Sequence, residues 1–87
     1  MTKMIENNKD FIKEFGKREF IEICKYVIQE LLILRANKKI VKFQINNKRK
    51  QVIFYISKEE NITLDMAKIF SIGLNRIDKY IGGKANG

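Results

Sequence analysis

Val41-Lys42-Phe43-Gln44-Ile45-Asn46-Asn47-Lys48-Arg49-Lys50-Gln51-Val52-Ile53-Phe54-Tyr55-Ile56-Ser57 is the stretch on which the fold turns. In its first limb Val41, Phe43 and Ile45 alternate with Lys42, Gln44 and Asn46. Successive side chains of an extended chain point to opposite faces, so this period of two predicts a half-buried strand. The second limb, Gln51 to Ser57, is β-branched and aromatic, a composition suited to a pleated surface. Between the limbs, Asn46-Asn47-Lys48-Arg49-Lys50 predicts a hairpin turn, because Asn tolerates the positive φ that such turns require. Two strands alone are marginal in water, so the hairpin needs a partner.

Helices flank it on both sides. Upstream, Phe11, Ile12 and Phe15 form a short apolar stripe, with Asn7 or Asn8 placed to cap it and Asp10 in the first turn. Gly16 marks a kink or a break. From Arg18 onward Phe20, Ile23, Cys24, Val27, Leu31 and Leu34 recur at helical spacing, widened by Ile21, Ile28 and Leu32. A face this broad calls for cover on more than one flank. Asn37 is the expected stop. Downstream, Asn61 to Ile81 is expected to be helical again, with Thr63 as cap and Asp65 in its first turn. Ile62, Met66, Ile69, Phe70, Gly73, Leu74, Ile77 and Ile81 fit one continuous amphipathic helix, but they also fit two helices broken near Gly73. Residues 82–87 read as a flexible tail. The expectation is an α+β fold of one domain over residues 1–87: long N-terminal helices, a central antiparallel β-hairpin, and a C-terminal helix or helix-turn-helix, winged-helix-like overall.

The chain has 87 residues, 45% of them apolar and 32% charged, and a formal net charge of +8. The excess charge is not spread evenly. Residues 37–58 hold Lys38, Lys39, Lys42, Lys48, Arg49, Lys50 and Lys58 against no Asp or Glu, whereas the segments on either side are nearly balanced. A concentrated cationic patch attracts polyanions. No apolar stretch is long enough to cross a bilayer, and the polar N-terminus does not read as a signal peptide. With one cysteine and no internal disulfide, a cytoplasmic location is expected.

Catalysis has little to work with. The absence of histidine removes Ser-His-Asp and Cys-His pairs and histidine metal sites. Cys24 sits on an apolar stripe, where cysteine serves as a small core residue. Glu59, Glu60, Asp65 and Asp78 suit helix starts and solvated faces. No catalytic residue, cofactor or metal ligand is expected.

The functional signal lies in residues 63–80. A helix-turn-helix needs a small residue in its first helix, a compact turn and apolar anchors at fixed offsets on the second. Ala67 supplies the first, Ser71-Ile72-Gly73 the turn, Phe70 and Ile72 the flanking anchors, and Ile77 with Tyr80 or Ile81 the packing of the second helix. Leu74, Asn75, Arg76, Asp78 and Lys79 are then left outward. Asn75 and Arg76 suit adenine and guanine edges, and Lys68 and Lys79 suit phosphates.

The pattern Ala67-Lys68-x-Phe70-x-Ile72-Gly73-x-Asn75-Arg76-Ile77 resembles the helix-turn-helix of excisionases from conjugative transposons and of related small plasmid and phage regulators. The similarity covers about a fifth of the chain. It implies a non-enzymatic winged-helix protein that binds and bends duplex DNA, redirects an integrase or represses a promoter. It places Asn75, Arg76 and Lys79 in the major groove. The wing in those proteins follows the second helix; here the basic hairpin at 40–57 is expected to serve instead, with Lys48, Arg49 and Lys50 gripping the backbone. A homodimer or an integrase- or relaxase-type partner belongs to the same expectation. Two other readings stand beside it. One is an RNA- or single-strand-binding module, with Phe43 and Tyr55 stacking on bases. The other is a protein-interaction or inhibitor module using the apolar face of residues 20–34.

Overall fold

A computed structural model describes residues 5–37 and 42–86. Met1, Thr2, Lys3, Met4, Lys38, Lys39, Ile40, Val41 and Gly87 lie outside the described residues, and with them two cations of the basic segment and the first two residues of the expected hairpin. The element order is α1 (Asn8–Phe15), α2 (Lys17–Ala36), β1 (Phe43–Asn46), β2 (Gln51–Tyr55), β3 (Asn61–Asp65), α3 (Met66–Ile72) and α4 (Ile77–Asn86).

The start of α1 is fixed by Asn7, whose side-chain oxygen accepts from the Asp10 N–H at 2.8 Å. Gly16 separates the first two helices with φ 93° and ψ 164°, a region that is essentially closed to any residue with a Cβ. The expected break is complete. Helix α2 then runs for 20 residues, about 30 Å. It buries Phe20, Ile23, Cys24, Val27 and Leu31 along one stripe and ends at Asn37. Ile28 and Leu34 pack against this core, but Ile21, Tyr26, Leu32 and Ile33 are each about half exposed. The breadth of the face therefore exceeds what the other described residues cover.

The strands form an antiparallel meander in the order β1-β2-β3. Phe43 pairs with Phe54, which pairs with Ile62; Val52 lies between Ile45 and Leu64. These six side chains share the inner face, with Val52 and Phe54 fully buried and Phe43 nearly so. The opposite face carries Gln44, Ile53, Tyr55, Asn61 and Thr63 by the same alternation.

The third strand corrects the helical expectation for 61–65. Asn61-Ile62-Thr63-Leu64-Asp65 alternates polar and apolar residues, and Ile62 and Leu64 complete the inner layer of the sheet. The helix begins only at Met66, with Asp65 rather than Thr63 at its N-cap position. The hairpin thus supplies the edge strand β1 and the central strand β2 of a three-stranded sheet.

Residues 66–86 are two helices, and the break is at Gly73, which ends α3 with φ 99° and ψ 130°. This reversal turns Leu74 inward, where it is buried, whereas Phe70, expected as an anchor, remains 40% exposed. At the other end α4 continues through Gly82 and Gly83 to Asn86, past the expected tail boundary. The buried residues of all these elements form one cluster.

Gly73 provides a test by sign. In the middle of a continuous helix, Gly73→Ala would stabilise by about 1 kcal/mol. At its observed φ, and with a Cβ lying 3.2 Å from Asn75 Oδ1, the substitution is expected to destabilise by about 1–3 kcal/mol. Urea denaturation of the two proteins decides between them.

Candidate nucleic-acid interface

The hairpin turn is held by local and distant bonds together. Asn46 accepts from the Arg49 N–H through its side-chain oxygen at 3.1 Å. The positive φ expected of an asparagine falls instead on Lys50, at 53°. Asn46 closes the turn with its side chain, so the backbone reversal is left to the last residue before β2. Lys48 and Arg49 are exposed and Lys50 is half-buried. Lys50 is close enough to α2 for its charge to act on the Cys24 thiol. Burial pushes that thiol's pKa up, and Lys50 opposes the rise. Cys24 itself is 4% exposed and belongs to the core.

A polar joint fixes the turn to the helices. The Asn8 side chain donates to the carbonyls of Arg49 and Lys50 at 3.1 and 2.9 Å, and its oxygen accepts from the Ala67 N–H at 3.0 Å. The Asn8 backbone N–H donates to Asp65 Oδ2 at 2.8 Å, while Asp65 Oδ1 accepts from Gln51 Nε2 at 2.8 Å. The Met66 N–H donates to the Lys50 carbonyl at 3.0 Å. The basic tip is therefore presented by a rigid junction of α1, the sheet and the start of α3.

Lys68 does not join it. Its side chain is buried, and its ammonium group lies 2.9 Å from Glu6 Oε2. An ammonium group removed from water needs such a partner, and Lys68, expected to suit a phosphate, is paired with Glu6 instead.

Asn75, Arg76 and Lys79 are exposed on the turn after α3 and on the first turns of α4. Asn75 borders an open groove of about 350 Å³ lined also by Tyr26, Glu30, Leu34, Phe70 and Leu74. The hairpin tip bonds to Met66, the first residue of the seven-residue α3, and Asn75 comes three residues after the last, beyond the reversal at Gly73. Asp78 is half-buried on the same turn of α4 and donates nothing cationic; its carboxylate accepts from the Lys79 N–H at 2.9 Å.

No family model, curated protein or solved structure matches this chain. The resemblance in residues 63–80 stands on those residues alone.

On the outer sheet face, sequence reasoning had half of the pair. Phe43 is 8% exposed and points into the core, where it cannot meet a base. Tyr55, twelve residues on, lies on the opposite face, with its hydroxyl donating to Gln44 Oε1 at 2.7 Å and the Lys42 ammonium 5.0 Å from its ring centroid. Alternation alone separates the two, since paired Phe43 and Phe54 must face one way and Tyr55 the other. Among the described residues no three Cys, Asp or Glu side chains come together as a metal site requires, and no helix is long and apolar enough to cross a membrane.

Proposed function

We propose that this is a non-enzymatic, cytoplasmic DNA-binding protein, an accessory or regulatory factor of the excisionase-like kind, that grips duplex phosphates with its basic hairpin. The observation that carries the reading is the acid-free segment between residues 42 and 58 folding into a β-ribbon whose tip cations, Lys48 and Arg49, stand in solvent on a rigid base. Because the turn backbone is already fixed, gripping phosphates orders side chains but no loop. Exposed Asn75, Arg76 and Lys79 supply further donors in the turn before α4 and at its start. The N-terminal turns of α4 then face base edges while the hairpin holds the neighbouring backbone.

The test is a titration of a fluorescent duplex at several salt concentrations. The logarithm of the binding constant is expected to fall linearly with the logarithm of salt, with a slope of about −3 or steeper. A flat response, or no binding to duplex at low salt, overturns the proposal. Asn75→Ala and Arg76→Ala separate readout from grip. Each is expected to lose about 1–3 kcal/mol of discrimination between a selected site and a scrambled one. Equal weakening on both sequences removes these residues from base recognition.

A further inference from the structure

Resting on the nucleic-acid reading above, we propose that the outer face of the sheet holds an unpaired nucleotide, its base stacked on Tyr55 and its phosphates held by Lys42 and Lys58. Lys42, Tyr55, Ile56, Ser57 and Lys58 line an open pocket of about 400 Å³, within the roughly 300–1,000 Å³ typical of small-ligand sites. Two cations and a hydroxyl around an aromatic ring is a donor set for a phosphate next to a planar group.

The ring is placed for this. Tyr55 sits on β2, the central strand, and the bond from its hydroxyl to Gln44 fixes its rotation. Lys42, an exposed residue, covers one face of the ring at cation–π distance. An incoming base takes this position and moves the ammonium group to the adjoining phosphate, a short displacement for a flexible side chain. Asn61, paired with Tyr55 and exposed, offers an amide beside the ring for a base edge. Asp65 also belongs to the sheet, but its carboxylate is engaged by Asn8 and Gln51 at the far end of β3. Glu59 and Glu60, both exposed, lie in the turn after Lys58 and do not line the pocket. A paired base has its faces covered by its neighbours, so the site selects an unstacked one: a strand end, a gap or a single-stranded stretch.

The experiment compares a blunt duplex, the same duplex with a short thymidine overhang, and a thymidine oligonucleotide. The overhang is expected to tighten binding by about 5- to 150-fold over the blunt duplex. Tyr55→Ser is expected to abolish that advantage and leave blunt-duplex affinity unchanged, which also shows that the variant is folded. Tyr55→Phe is expected to retain most of it. Should Tyr55→Ser not fold, the double variant Lys42→Ser with Lys58→Ser, both at exposed positions, is expected to remove most of the advantage without touching the sheet. Equal binding of blunt and overhanging duplexes overturns the inference and leaves the duplex reading standing, as does an advantage that survives both variants. Binding to none of the three probes overturns both.

Discussion

Asn8→Ala is expected to lower the unfolding free energy by about 3 kcal/mol, against about 1 kcal/mol for Asn7→Ala next to it. Asn7 caps its own helix with one side-chain bond to the Asp10 N–H, a local contact whose loss costs what cap losses generally cost. Asn8 makes three side-chain bonds, each to backbone more than 40 residues away. A net contribution of roughly 0.5–1.5 kcal/mol per bond gives the larger figure. The loss also leaves the Ala67 N–H without its partner in a partly buried place, where water replaces it poorly, while the Lys50 carbonyl keeps the Met66 N–H. For a domain of this size such a change is a large share of the total, which is typically about 5–15 kcal/mol. A shift of more than about 10 °C in thermal midpoint is expected for Asn8→Ala. Equal costs for the two asparagines would mean that the junction does not tie the hairpin to the helices.

The contrast between these neighbours shows how far the sequence could be read. Local signals were legible: the asparagine cap, the glycine break at residue 16, the helical period of Phe20 to Leu31, the alternation of Phe43 and Ile45. Each depends on residues within one or two turns of the chain. The break at Gly73 was half legible, since its spacing fitted both one helix and two, and only its backbone angle decides. What stayed hidden depended on partners distant in sequence. Asn61 to Asp65 alternates like a strand, but Ile62, Met66 and Ile69 also fall at helical spacing. The competition is settled by β2, whose Val52 and Phe54 need Leu64 and Ile62 beside them. Lys68 looked like a free cation because Glu6 is 62 residues away. Exposed Phe15 and Phe70 pack on buried Phe11 and Tyr26 packs on Phe70, with Phe11–Phe70 and Tyr26–Phe70 ring centroids 6.3 and 6.0 Å apart. That cluster joins α1, α2 and α3, and no single stretch contains its pattern.

The strongest effect on binding is expected from removing the tip cations together, as Lys48→Ser, Arg49→Ser and Lys50→Gly. Glycine is chosen at 50 because that residue has φ 53°, where glycine is at ease and serine is not, so the turn is preserved while the charge is lost. If each cation neutralises one phosphate, the salt slope is expected to flatten by about 2–3, and affinity at 0.1 M salt to fall on the order of a hundred-fold. The loss should be the same on every duplex, since phosphates carry no sequence information. Stability should be unchanged or slightly raised, because three like charges no longer crowd one turn. Lys68→Met is the internal control. It removes a cation from the same protein, but one already paired with Glu6 in a buried position, so it should change stability and leave the slope alone. A triple variant whose slope matches the parent's would show that the ribbon does not touch the backbone. A Lys68→Met slope that flattens would show that the pair with Glu6 opens on binding.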